Sequence, residues 1–211
     1  MAARKKSPLA QERDEEARGL WRWLASRFDA WRLVFVDECG THTSMTRLRS
    51  RAPRGGERAY GRVPRNRRGK NTTLIACITL GGAMGERATM AIEGATDAEV
   101  FEAYVEHFLA PSLSEGQVVV MDKLGAHRTK RVRELIEARG ADLVFLPSYS
   151  PDLTPIEEEA FSKIKSILRK AGARTREALV EAMAGALRAV TPGDAAGWFR
   201  HCGYDVEAQH L

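Results

Sequence analysis

Residues 117–146, QVVVMDKLGAHRTKRVRELIEARGADLVFL, decide the fold. Gln117 to Met121 is a continuous apolar run of strand length that closes at Asp122, and Ala141 to Leu146 is a second such run. Between them, Arg131 to Arg139 places Val132, Leu135 and Ile136 on one helical face. Strand, helix and strand in this order predict a parallel crossover unit with a helix laid on the sheet.

Working outward, Thr96 with Glu99 three residues later reads as a capping box. It opens a helix carrying Val100, Phe101, Tyr104, Val105, Phe108 and Leu109 and ending near Pro111. Upstream, Trp31 to Val36 is a β-branched and aromatic strand stopping at Asp37-Glu38, and Thr43 to Arg49 and Thr72 to Leu80 read as further strands. A Gly81-Gly82 turn and Arg87 to Ile92 suggest an antiparallel hairpin; the glycines lack the lysine and strand-to-helix context of a phosphate loop. Gln11 to Phe28 is expected to be a leading helix with Leu20, Trp21, Leu24 and Phe28 on its inner side. Downstream of a Pro-rich loop, Pro147 to Asp152, Thr154 and Pro155 start a helix with Phe161, Ile164, Ile167 and Leu168 inward, followed by helices near 175–190 and 193–201. Trp21, Trp23, Trp31 and Trp198 are expected in packing contacts. Antiparallel strands followed by this alternation predict an α/β mixed sheet with helices on both faces.

The chain has 211 residues, 44% apolar and 29% charged, with 33 Lys+Arg against 28 Asp+Glu and a net charge of +5. That length buries a core without disulfides or a structural metal. Cys39, Cys77 and Cys202 have no CxxC spacing, which argues against a secreted disulfide framework and a zinc ribbon. With no long apolar stretch and no hydrophobic leader, a cytoplasmic protein without membrane contact is expected.

Both Asp37 and Asp122 end buried strands, and carboxyl ends of strands are where α/β sheets place ligands. Each has an alternative reading as a turn cap. If the two strands are neighbours, the aspartates converge. Glu157, with Glu158 and Glu159 behind it, stands at the start of the helix opened by Thr154-Pro155. Three carboxylates on rigid elements suit hard divalent cations, Mg2+ or Mn2+, whose usual chemistry is phosphoryl transfer, with two ions in a two-metal site. Thr154-x-x-Glu157 also reads as a capping box, and Glu157 and Glu158 lie near one helix face, so either can be the third acid.

A second signal is basic. Arg47, Arg49, Arg51, Arg54, Arg58, Arg62, Arg65, Arg67, Arg68 and Lys70 are opposed only by Glu57, the pattern of a loop that meets phosphates. Arg128, with Lys130, Arg131 and Arg133, suggests a second strip along DNA. His127 is placed either on a phosphate or on the surface near a helix start, and Lys123 either clears the metals or reaches a phosphate.

The strings MDKLGAHRTK and FLPSYSPDLTPIE, with VFVDE and MTRLRSRAPRG upstream, resemble the catalytic domain of bacterial insertion-sequence transposases in the Tc/mariner superfamily. The 34 residues between Asp122 and Glu157 match that superfamily's spacing between its second and third acids. The resemblance implies a ribonuclease-H-like, retroviral-integrase-like fold with a five-stranded mixed sheet and an Asp37, Asp122, Glu157 metal-binding triad. It implies DNA strand cleavage and strand transfer with Mg2+ or Mn2+. Expected partners are element-end and target DNA, a second copy of the chain, and a helix-turn-helix subunit or upstream reading-frame product. Nucleoid association follows from these. The corresponding organisation is a helical extension over 1–31, a catalytic domain over 32–204 and a tail over 205–211. The sequence departs from the family at Lys123 and Thr154, where asparagine is usual, and by one additional residue between Glu157 and Phe161. An inactive DNA-binding remnant, a truncated or split copy, and a stand-alone metal nuclease are the alternative readings.

Overall fold

The computed structural model describes residues 11–48, 52, 56 and 71–207. Its centre is β1 (Leu33–Thr41), antiparallel to β2 (Thr72–Thr79) on one side and parallel to β5 (Val118–Met121) on the other. β6 (Asp142–Phe145) lies parallel beyond β5. The outer edge of β2 is taken by β3 (Gly82–Ala83) and β4 (Met90–Glu93). The five-stranded expectation thus becomes six strands in a mixed sheet flanked by helices. The edge ribbon along β2 is broken in two where residues 84–89 leave the sheet.

Side-chain alternation builds two cores, one on each face. Leu33, Phe35, Cys39, Val118 and Val120 join the layer of α1 (Glu15–Ala25), α5 (Phe161–Ala171), α6 (Arg176–Arg188) and α7 (Pro192–His201). Val34, Val36, Val119 and Met121 join the layer of α2 (Ala98–Tyr104) and α4 (Lys130–Glu137). From α2 the helix continues through a π turn at Val105–Leu109 into α3 (Ala110–Ser112). Phe35 is fully buried, its ring 5.3 Å from Phe199 and 5.1 Å from Tyr204. Truncation to alanine there costs about 3–5 kcal/mol.

Five local expectations change. β1 does not stop at Asp37; its ladder with β2 continues to Thr41 opposite Thr72, so Asp37 lies inside a strand. Thr43 to Arg49 is not a strand over its described part, because β1 has β2 and β5 as neighbours and the chain turns away from the sheet at His42, whose carbonyl accepts from Met45 N. The cap of α2 is Asp97, which accepts from Val100 N at 2.9 Å, rather than Thr96. α1 turns Arg18, Trp21 and Ala25 inward, leaving Leu20 exposed, because Arg18 is drawn fully under the surface to meet Asp152. Trp23 and Trp31 are also largely exposed, unlike Trp21. Among the described residues no helix is long and apolar enough to cross a membrane.

Candidate active site

The β1–β5 ladder ends at Phe35 opposite Val120, and the same register carried two residues further sets Asp37 beside Asp122. By alternation both aspartates share the face of Phe35 and Val120, the one covered by α5. Glu157 approaches from that layer. Asp122, Glu157 and Glu158 line a cleft of about 830 Å3 at the carboxyl ends of β5 and β6. Asp37 lies half-buried in β1, and the charges of Glu157 and Asp122 act on it.

Glu157 sits in a π turn, Ile156–Ala160, that runs directly into α5. There Ala160 N donates to Pro155 O and Phe161 N to Ile156 O, a five-residue step in place of four. This wide turn absorbs the additional residue before Phe161. Phe161, Ile164 and Leu168 stay buried against the sheet, and α5 ends at Gly172, whose left-handed backbone (φ 62°) turns its N–H back to Leu168 O. The capping-box alternative for Glu157 is not formed. Thr154 N–H donates to Pro151 O instead, and Thr154 Oγ1 accepts from Ile156 N.

The electrostatics are those of crowded acids. Burial, then the neighbouring Glu157 and Asp122, push the Asp37 carboxyl up to about 7, against a hydrogen bond from the backbone of Glu38 and the nearby His127. Glu157 is raised too, by desolvation and by Asp122 and Glu158, with Lys165 opposing. Among the described residues no three His, Cys, Asp or Glu side chains stand close enough together, as placed, to hold one cation. Asp122 is engaged elsewhere. Its Oδ1 accepts from Leu124 N at 3.1 Å and lies 2.6 Å from His127 Nδ1, too misaligned to count as a hydrogen bond.

His127 is the chief correction among the expected site residues. It has no exposed surface, so in this arrangement it meets no phosphate. Its ring lies 4.1 Å from that of Phe101, and its Nε2 is 3.3 Å from Glu38 Oε1. Burial works against its protonation, but Asp122 and Glu38 outweigh that and lift it to about 9. Glu38 points to the α2/α4 face because it follows Asp37 in a strand. Lys123 is exposed and lines the cleft; Arg128 and Arg47 are exposed outside its lining. Arg49, Arg51, Arg54, Arg65, Arg67, Arg68 and Lys70 lie outside the described residues.

Sequence reasoning missed Glu38 and Lys165. Strand alternation next to Asp37 is the signal for the first. Lys165 lies eight residues after Glu157, about two helical turns, which returns it to the side of the acids. The Pro147–Asp152 loop is anchored from outside the sheet: Arg18 Nη2 and Nη1 donate to Asp152 at 2.6 and 3.0 Å. Despite some desolvation, that guanidinium holds the Asp152 carboxyl below its usual range.

A family model described as DDE superfamily endonuclease matches residues 32–180. No curated protein sequence matches the chain. Among solved structures, a Mos1 transposase paired-end complex with left transposon end superposes with a TM-score of 0.69 at 17% identity, over 96% of this chain and 61% of that one. A pre-cleavage Mos1 transpososome gives 0.71 at 16%, over 96% and 63%. The catalytic domain of Mos1 mariner transposase gives 0.64 at 15%, over 93% and 89%. At these identities the likeness establishes the fold, the ribonuclease-H-like one implied by the sequence. The chain spans less than two thirds of the longer transposases in the first two complexes. With 32–180 matched, more than half its length, the chain belongs to the DDE superfamily endonucleases.

Proposed function

We propose that the chain is the catalytic subunit of a DNA transposase, in which Asp37, Asp122 and Glu157 hold divalent cations, Mg2+ or Mn2+ and two in number. The observation that carries this reading is that Asp122 and Glu157 line one cleft and that their charges act on Asp37 in the neighbouring strand, whose carboxyl burial first and then these acids push up to about 7. The donor set is all oxygen and hard, and mutual repulsion among the acids is what a divalent cation relieves. Bound cations supply activation of the attacking hydroxyl and stabilisation of the leaving oxygen. The chain's own part is to fix the carboxylates on β1, β5 and the π turn. Lys123 and Lys165 add positive charge to which a phosphate is drawn, while Arg47 and Arg128 meet the backbone further along the DNA.

Glu157 is taken as the third ligand, because its charge weighs most among the acids acting on Asp37. Mos1 structures include a paired end complex with Mn, one with Mg and a Strand Transfer Complex, which supports the same chemistry here. DNA ends and target DNA are the proposed substrates. A second copy of the chain and a separate end-recognition subunit complete the proposed assembly, on nucleoid DNA. Mn2+-dependent nicking of supercoiled DNA tests this. Glu157→Gln should lose it and Glu158→Gln should keep most of it; the reverse result moves the third ligand to Glu158, and equal nicking by both removes it.

A further inference from the structure

Helix α1 carries a face that the fold does not use. Its buried side chains, Arg18, Trp21 and Ala25, meet the body of the protein. Nearly opposite them lie Glu16, Leu20, Trp23 and Arg27, all exposed and spaced so that they form one row along the helix and its closing turn, where Arg27 N donates to Leu24 O at 3.0 Å. Steps of four, three and four residues are the spacing of a helix–helix seam. The two middle members are large and apolar: Leu20 is 64% exposed and Trp23 56%. The Arg27 guanidinium lies 3.6 Å from the centre of the Trp23 ring and donates to Trp23 O at 2.8 Å, so the cation is held within the row. Gly19 flanks the row on one side, where a Cβ would meet nothing within 4 Å, and half-buried Leu24 flanks it on the other.

We infer that this face binds the same face of a second copy of the chain, α1 against α1, antiparallel about a two-fold axis that crosses between Trp21 and Arg22. The row is its own complement in that register, and each contact occurs twice. Leu20 packs on the partner's Trp23, Glu16 meets the partner's Arg27, and Leu24 fills the place that the partner's Gly19 leaves open. A parallel pair would set Glu16 on Glu16 and Arg27 on Arg27, so the order of charges selects the antiparallel one. The inference rests on the second copy in the proposed assembly and names the surface that joins it. Through Arg18, the inner face of the same helix holds the Asp152 loop that lines the cleft, so pairing by α1 fixes two clefts relative to each other. One short helix a side makes a small interface against the about 1,200 Å2 that stable complexes bury, so the dimer is weak, and holding both copies on one DNA strengthens it.

Sedimentation equilibrium of the full chain without DNA or metal, over about a hundredfold range of concentration, tests this. Wild type should pass from monomer to dimer mass across the range. Leu20→Glu and Trp23→Ser should stay monomeric with Tm kept, because both side chains are exposed. Glu16→Arg and Arg27→Glu each set two like-charged pairs across the axis, so either variant alone should dimerise at least about tenfold more weakly. Mixed in equal amounts, these two variants should dimerise with one another about as well as wild type, since every end contact is then acid on base. A wild type that stays monomeric overturns the interface. So does a mixture of the charge variants no tighter than either alone, and dimers that survive Leu20→Glu and Trp23→Ser place the second copy on another face. The nuclease reading is measured apart, by Mn2+-dependent nicking: a monomer that nicks loses this interface and keeps that reading, and an α1 dimer that never nicks keeps the interface and loses the nuclease.

Discussion

His127 Nδ1 lies 2.6 Å from Asp122 Oδ1 in a pocket with no exposed imidazole surface, while Nε2 of the same ring faces Glu38. The ring's charge is therefore paired with the end of β5 on one side and with the residue after Asp37 in β1 on the other. Outer partners of this kind orient ligating carboxylates, and their loss typically weakens metal affinity 10- to 100-fold. His127→Ala is expected to weaken Mn2+ binding at least about tenfold by calorimetry, and Glu38→Leu to do the same through the ring. Glu38→Gln, which keeps an acceptor for Nε2, should fall between these and wild type. Wild-type affinity in His127→Ala would show that the ring only fills space.

Stability of the cation-free protein should fall with rising pH. His127 is raised in the folded state from 6.5 to about 9, so its contribution is complete below 6.5 and is lost as pH rises through 9. Asp37 is raised from 3.8 to about 7, so the folded protein holds a proton the unfolded chain releases, and stability declines between those values as well. Thermal melts in chelator should show Tm decreasing from pH 5 to 9. His127→Gln should flatten the upper limb. A profile that rises across this window contradicts both assignments.

The π turn makes a structural prediction. Deleting Glu159 converts the five-residue step into an ordinary α-helical turn with the register of both flanks kept, so Glu157 stays at the cleft and Phe161 in the core. The deletion variant should fold with near-wild-type Tm and bind Mn2+. Loss of folding would show that the wide turn is required rather than accommodated.

The Arg18–Asp152 pair anchors α1 to the loop carrying Tyr149. Asp152→Ala leaves a fully buried guanidinium with only the more distant Glu15, 3.5 Å from Nε, and should cost about 3 kcal/mol in denaturant unfolding. Arg18→Met, which removes the charge and keeps an apolar stem, should cost less. Equal costs would mean that packing, not charge, holds the helix.

Much of this was legible in the sequence because apolar runs report burial directly. Val118–Met121 and Leu33–Val36 could only be strands covered on both sides, and their neighbouring order brought Asp37 and Asp122 together. What could not be read depends on partners far away in sequence. Asp37 lies within β1 because β2, beyond the basic segment, extends the ladder to Thr41. His127 is buried because Phe101, Glu38 and Asp122 converge on it from three elements. The additional residue before Phe161 was visible, but its resolution as a π turn needed the packing of α5 to hold the register.

Calorimetric titration with Mn2+ of wild type and of Asp37→Asn tests the three-carboxylate centre most directly. Asp37→Asn removes one ligand charge at nearly constant shape, so wild type should bind Mn2+ and the variant should bind it far more weakly or not at all, with the fold retained by circular dichroism. Equal binding by the two proteins, or no binding by wild type, would contradict a metal centre built on Asp37, Asp122 and Glu157.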